Sequence, residues 1–168
     1  LDGYIVPKNN NFFGEYVSLQ EDNLNYISNF TGSAGFAVIL KNKNFMFVDG
    51  RYTIQANIQC GKDYRICTIP KKYPFNILDN KNIKLGFDPK LHTENSLKRL
   101  FGNSFSKLKP INKNLIDLLW KRKKKLDIKP FYLIKDQDAG ATLENKLSKL
   151  VELIKLNKVD YLFTTASE

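Results

Sequence analysis

The stretch from Phe30 to Tyr52, FTGSAGFAVILKNKNFMFVDGRY, constrains this chain most. Phe36 to Leu40 is an apolar strand with β-branched residues, Lys41 to Asn44 a polar turn, and Phe45 to Val48 the returning strand. Gly32, Ala34 and Gly35 open the hairpin, where small residues let the backbone turn tightly or approach a neighbour closely. Asp49-Gly50 ends the second strand, and Arg51-Tyr52 begins what reads as a helix. A loop of small residues thus sits at one end of the hairpin. A cation and an aromatic stand at a strand-to-helix junction, as suits a binding or docking edge.

Around the hairpin the sequence alternates strands and helices. Asp2 to Pro7 reads as a strand stopped by proline, and Leu19 to Phe30 as a helix with Leu24, Ile27 and Phe30 spaced along one face. Arg51 to Cys60 reads as a helix with Ile54 and Ile58 on one face and Gly61 as its stop. Strands follow at Tyr64 to Ile69, Ile83 to Phe87 and Lys107 to Ile111. A helix is expected from Thr93 to Phe101 and a shorter one from Leu115 to Trp120. Gly140 to Asn157 carries the clearest helical stripe, Leu143, Leu147, Leu150, Val151 and Ile154. Val159 to Thr165 reads as a strand after it, so the chain stops early in a second α/β unit.

Composition narrows the function classes. A hydrophobic content of 42%, with eight Tyr and twelve Phe, argues against disorder. No apolar run approaches the ~18 residues that span a membrane, and no signal-peptide pattern is visible. Cys60 and Cys67, the two cysteines, read as buried free thiols in a reducing compartment. The net charge of +10 admits a nucleic-acid or anionic partner. The simpler reading is solvated surface lysine in a chain rich in Lys, Asn and Ile.

Catalytic constellations are sparse. His92 is the sole histidine and reads as structural. Asp136 and Asp138 lack a third donor for a metal site. Gly32 to Gly35 precedes a strand, not a helix, so it lacks the geometry that binds phosphate at a helix terminus. The basic run Lys121 to Lys125 has aromatic company only in Trp120, whose simpler role is packing. Arg51 differs, because its planar fork of donors suits a carboxylate or a peptide carbonyl. An ion pair with Asp49 is the alternative.

FTGSAG, then VDGRY and the Gln55-Ala56 pair, resemble the N-terminal domain of the Xaa-Pro aminopeptidases (aminopeptidase P), in the creatinase/prolidase pita-bread group. Leu1 to Pro7 (LDGYIVP), Glu15-Tyr16, Gly86 to Pro89 (GFDP) and Asn114 to Asp117 with Trp120 match in the same order. The resemblance implies an α/β fold of the creatinase N-terminal type, a mixed β-sheet flanked by helices. It implies a first domain over residues 1–126, a linker over 127–138 and a truncated second α/β domain over 139–168.

In that family the catalytic residues and two metal ions, usually manganese, belong to a C-terminal domain. The resemblance therefore implies no catalytic residue and no metal ligand in this stretch, which would be inactive alone. It implies a substrate contact at Arg51, with Phe30, Thr31 and Tyr52 along the same edge. Its substrate would be a peptide with Pro in second position, and the whole enzyme a cytoplasmic homodimer without membrane or nucleic-acid partners. Two alternatives stay open: a non-peptidase relative such as creatinase or a histone-chaperone-like binding module, and a basic nucleic-acid-binding domain.

Overall fold

The computed structural model describes residues 1–78, 82–122 and 132–163. The chain divides into two compact units, Leu1–Lys123 and Lys124–Glu168.

The first unit is built on a six-stranded mixed sheet. Its strands are β1 (Gly3–Pro7), β2 (Phe36–Leu40), β3 (Asn44–Asp49), β4 (Tyr64–Ile69), β5 (Lys84–Phe87) and β6 (Lys107–Pro110), in spatial order β4-β3-β2-β1-β5-β6. The β2–β3 hairpin is interior to the sheet, pairing Phe36 with Phe47 and Val38 with Phe45. β1 is antiparallel to β2, whereas β3–β4, β1–β5 and β5–β6 are parallel. Only β2 therefore runs against the other strands. The parallel neighbours β3 and β4 are joined through a helix, α2 (Thr53–Gln59), because a parallel pair needs a crossover connection.

Alternation along the strands explains the unbroken apolar runs. Tyr4, Val6, Ala37, Met46 and Val48 face one core with Leu24, Ala56 and Ile116. Ile5, Phe36, Val38, Phe45 and Phe47 face a second core with Leu78, Leu85 and Phe101. Successive strand residues point to opposite faces, and both faces are covered, so every position along FAVIL and FMFV can be apolar. Leu24, Ala56 and Ile116 come from α1 (Asn23–Ser28), α2 and α5 (Leu115–Leu119). The second face is covered by α3 (Pro74–Ile77) and α4 (Glu94–Phe101), whose Thr93 cap accepts from the Ser96 N–H.

Three expectations need correction. The helix expected over Leu19 to Phe30 spans only α1. Asp22 caps its start by accepting from the Asn25 N–H (3.0 Å), and Asn29 ends it in the left-handed region at φ 58°. Arg51 and Tyr52 lie in a 3-10 turn, Gly50–Tyr52, ahead of α2. Ile54 and Ile58 are exposed, because α2 meets the sheet through the smaller Ala56 and Cys60.

The second unit contains α6 (Asp136–Ala139) and α7 (Leu143–Leu156). Thr142 caps α7 by accepting from the Asn145 N–H at 3.2 Å. Leu143, Leu147, Leu150 and Val151 are exposed along it. The strand expected at Val159 to Thr165 is not formed over residues 159–163, where no neighbouring strand pairs with it. Thr164 and Thr165 lie outside the described residues, as do residues 127–131 of the expected linker and the lysines at 123–125.

Candidate functional site

The carboxyl ends of the five co-directional strands form one edge of the sheet. In open α/β sheets this is the edge at which ligands bind. The loop of residues 30–35, which enters β2, and the turn after β3 meet here.

Phe30 anchors the loop. Its side chain is completely buried, and its ring meets that of Tyr52 edge-on at 5.9 Å between centroids. Gly32 lies against that ring so closely that an added Cβ would stand 2.3 Å from it, so the loop needs glycine at this point. The Ser33 and Tyr52 hydroxyls are 2.7 Å apart and share a hydrogen bond. Thr31 meets α2: its Oγ1 accepts from Gln55 Nε2 (2.9 Å) and Gln59 Nε2 (2.8 Å), and its N–H donates to Gln59 Oε1 (3.0 Å). Loop and turn are therefore one stapled rim.

Arg51 projects from this rim with 75% of its side chain exposed. Its Nε donates to Asp49 Oδ1 (3.1 Å), its Nη2 to Oδ2 (2.7 Å), and its backbone N–H to Oδ1 (2.9 Å). The guanidinium carbon lies 5.3 Å from the Tyr52 ring centroid. The hydrogen bond from Arg51 holds the Asp49 carboxyl below its ordinary range, and the same bond raises the arginine. The ion pair with Asp49 weighed as the alternative is thus present. It fixes one edge of a guanidinium that carries five N–H donors and leaves the others to a ligand.

Two grooves adjoin the rim. One, of about 160 Å³, is lined by Lys8, Glu15, Tyr16, Leu19, Thr31 and Ser33. The other, of about 290 Å³, includes Ala34, Gly35, Asp49, Tyr73 and Arg99. Lys8 supports the first from below, through an ion pair with Asp22 and a backbone bond to the Gly35 carbonyl at 3.0 Å.

The structure brings Thr31, Tyr52 and Arg51 together on this rim, with Phe30 buried beneath it. Ser33, Asp49, Gln55 and Gln59 complete the rim. The spacing of Gln55 and Gln59, four apart on a helix beside Ile54 and Ile58, was the available signal for them.

The other candidates lie elsewhere. Cys60 and Cys67 are buried, free and in opposite cores, and burial raises both thiols. Arg122 is held by Asp117 (2.6 Å), Asn23 and the face of Trp120. Trp120 itself stacks on Tyr26 at 4.6 Å. Among the described residues no group of three or more His, Cys, Asp or Glu side chains converges on a point where a metal could sit. No described helix is long and apolar enough to cross a membrane.

His92 packs edge-on against Phe87, and its Nε2 is buried without a hydrogen-bond partner. Burial pushes its pKa down to about 4, and the nearby Asp88 opposes only part of that shift. The unfolded chain takes up this proton near pH 6.5 and the folded chain only near pH 4. The unfolded state thus binds more protons between those values, and stability falls as pH drops through that window, by up to about 3 kcal/mol. Denaturant midpoints measured from pH 7 to pH 4 should show this slope, flattened in His92→Gln.

A family model for the Creatinase/Prolidase N-terminal domain matches residues 1–118. The chain belongs to this family. Aminopeptidase P1 of Lotus japonicus is 29% identical over 176 residues, covering 100% of this chain and 27% of that protein. Xaa-Pro aminopeptidase 2 of Mus musculus is 30% identical over 158 residues, covering 88% and 23%. The X-prolyl aminopeptidase of Caenorhabditis elegans, a cytosolic enzyme with a di-nuclear active site, superposes with a TM-score of 0.72 at 25% identity over 95% of this chain and 28% of its own. The N-terminal domain of the peptidase PepQ from Mycobacterium tuberculosis shares the fold (TM-score 0.54, 22% identity, 71% and 88% covered). This creatinase-type domain therefore spans about a quarter of the length of the aminopeptidases it matches, and its first unit is the α/β mixed sheet flanked by helices expected from the sequence.

Proposed function

We propose that this chain is the N-terminal part of a metal-dependent Xaa-Pro aminopeptidase. The whole enzyme removes the first residue from peptides with proline in second position. The chain's own role is positional: it borders the cleft, aids assembly of the enzyme and contacts the peptide through Arg51. Residues 1–126 are its first domain, 127–138 a linker, and 139–168 the start of a second α/β domain.

The two metal ions, for which manganese is the proposed identity, are assigned in this proposal to the remainder of the enzyme. When bound there they supply an activated water for hydrolysis. The whole enzyme is proposed to be a cytoplasmic homodimer.

The observation that carries this reading is the rim at the carboxyl ends of the strands. It presents Arg51 exposed yet fixed in direction by Asp49 and Tyr52. Such a guanidinium can take a peptide carbonyl or carboxylate with little loss of side-chain entropy on binding.

In the full-length enzyme with manganese, Arg51→Ala is expected to raise KM for an Arg-Pro-Pro peptide about tenfold or more, the scale of one charge-assisted hydrogen bond. Its melting temperature should stay near wild type, because the side chain is exposed. An unchanged KM in the folded variant would make Arg51 structural.

A further inference from the structure

The hydrogen bonds between Thr31 and α2 are more numerous than fold stability explains. Thr31 is exposed, and Gln55 and Gln59 are only half-buried. Hydrogen bonds in such a setting exchange with water and contribute little net stability. The loop is already anchored by the buried Phe30 ring and the Ser33–Tyr52 bond. The amides are nevertheless arranged as a closed set. Both donate to the one hydroxyl, Gln59 Oε1 accepts the Thr31 N–H, and Gln55 Nε2 also lies 3.2 Å from Gln59 Oε1. Each glutamine carboxamide is thereby fixed in orientation.

The set links two segments far apart in sequence. On one side it holds Thr31 and, two residues on, Ser33, which lines the smaller groove. On the other it holds the first and last turns of α2, whose leading 3-10 turn carries Arg51 and Tyr52. A shift of α2 along its axis would move Arg51 relative to the groove. The three bonds to Thr31 oppose that shift.

We infer that Gln55 and Gln59 are positioning residues for peptide binding, holding Arg51 in register with the Thr31–Ser33 side of the groove. This rests on the reading of Arg51 as a substrate contact. The glutamines touch no reacting atom. They act by fixing the distance between two parts of the rim that would grip one extended peptide, so their loss weakens binding and leaves the chemical step alone.

The test uses the full-length enzyme with manganese and an Arg-Pro-Pro peptide. Four proteins are compared: wild type, Arg51→Ala, the double variant Gln55→Ala/Gln59→Ala, and the combined triple variant. The double variant is expected to raise KM about three- to tenfold, the scale of one or two modest hydrogen bonds. Its kcat should stay within about twofold and its melting temperature within about 2 °C, because alanine suits a helix and the lost bonds are exposed. In the Arg51→Ala background the same pair of changes should add almost nothing to KM, since there is no guanidinium left to place.

If Arg51→Ala raises KM and the glutamine pair does not, or if the two effects simply multiply, the positioning role is wrong and the Arg51 contact stands. A fall in kcat with unchanged KM would overturn it equally. If Arg51→Ala itself leaves KM unchanged, the substrate-contact reading fails and the positioning role fails with it.

Discussion

Replacing Phe30 with alanine lowers the unfolding free energy of this chain by about 3–5 kcal/mol, the range for removing a buried aromatic ring. Phe30 has no exposed surface and is among the largest fully buried side chains. It packs in the core that α1, α2 and α5 share with one face of the sheet. Relaxation into the cavity would be limited, because the strands behind it are fixed by pairing on both sides. The loss also reaches the rim: Tyr52 loses its edge-on partner, and the chain at Gly32 loses the surface it lies on. Denaturant unfolding measures the effect as a lower midpoint with unchanged slope. A loss below about 1 kcal/mol would mean that the ring is not the anchor of this loop.

The second large effect is at Lys8. Its ammonium pairs with Asp22, and the two side chains are only 9% and 4% exposed. Lys8→Met leaves the carboxylate buried without its cation, which costs about 3–5 kcal/mol. Asp22 still accepts from the Asn25 N–H it caps, so the lower end of that range is expected. Asp22→Asn keeps an N-cap while removing the charge. In Lys8→Met/Asp22→Asn neither charge remains, and the double variant should be more stable than Lys8→Met alone. A double variant with the summed loss of both singles would show that the pair is not coupled. The bond from the Lys8 backbone N–H to the Gly35 carbonyl is left in place by these side-chain substitutions.

Much of this fold was legible because both sides of its sheet are covered. Continuous apolar runs such as Phe36 to Leu40 declare themselves as strands, and Asp49-Gly50 and Asp88-Pro89 mark where strands stop. Helices were harder. The apolar spacing of Leu24, Ile27 and Phe30 overstated α1, because Phe30 is buried beyond a helix that Asn29 has already ended. In α2 the periodic pair Ile54 and Ile58 pointed to the wrong face. Ala56 and Cys60 make the core contact, and small residues carry a weak hydrophobic signal although they permit close packing.

Arg51 and Tyr52 were legible as a strand-to-helix edge, and the family resemblance placed Thr31 beside them. The ion pair of Arg51 with Asp49 was weighed from the sequence, whereas the fixing by Gln55, Gln59 and Ser33 was not legible. Polar side chains in a sequence do not reveal which distant segment will supply their partners. The same holds for the buried Lys8–Asp22 pair, which joins residues 14 apart in sequence. Leu143, Leu147, Leu150 and Val151 of α7 are exposed and residues 159–163 form no strand, although their apolar pattern reads as a packed helix and a strand.

The most direct test of the central claim is peptide discrimination by the full-length protein. Release of the first residue would be measured from Arg-Pro-Pro and from Arg-Ala-Pro, with manganese present and after chelation. Rapid release of arginine from the proline peptide is expected, with little from the alanine peptide and loss of release on chelation. Equal cleavage of the two peptides, or no cleavage of either by metal-loaded protein, would contradict that claim.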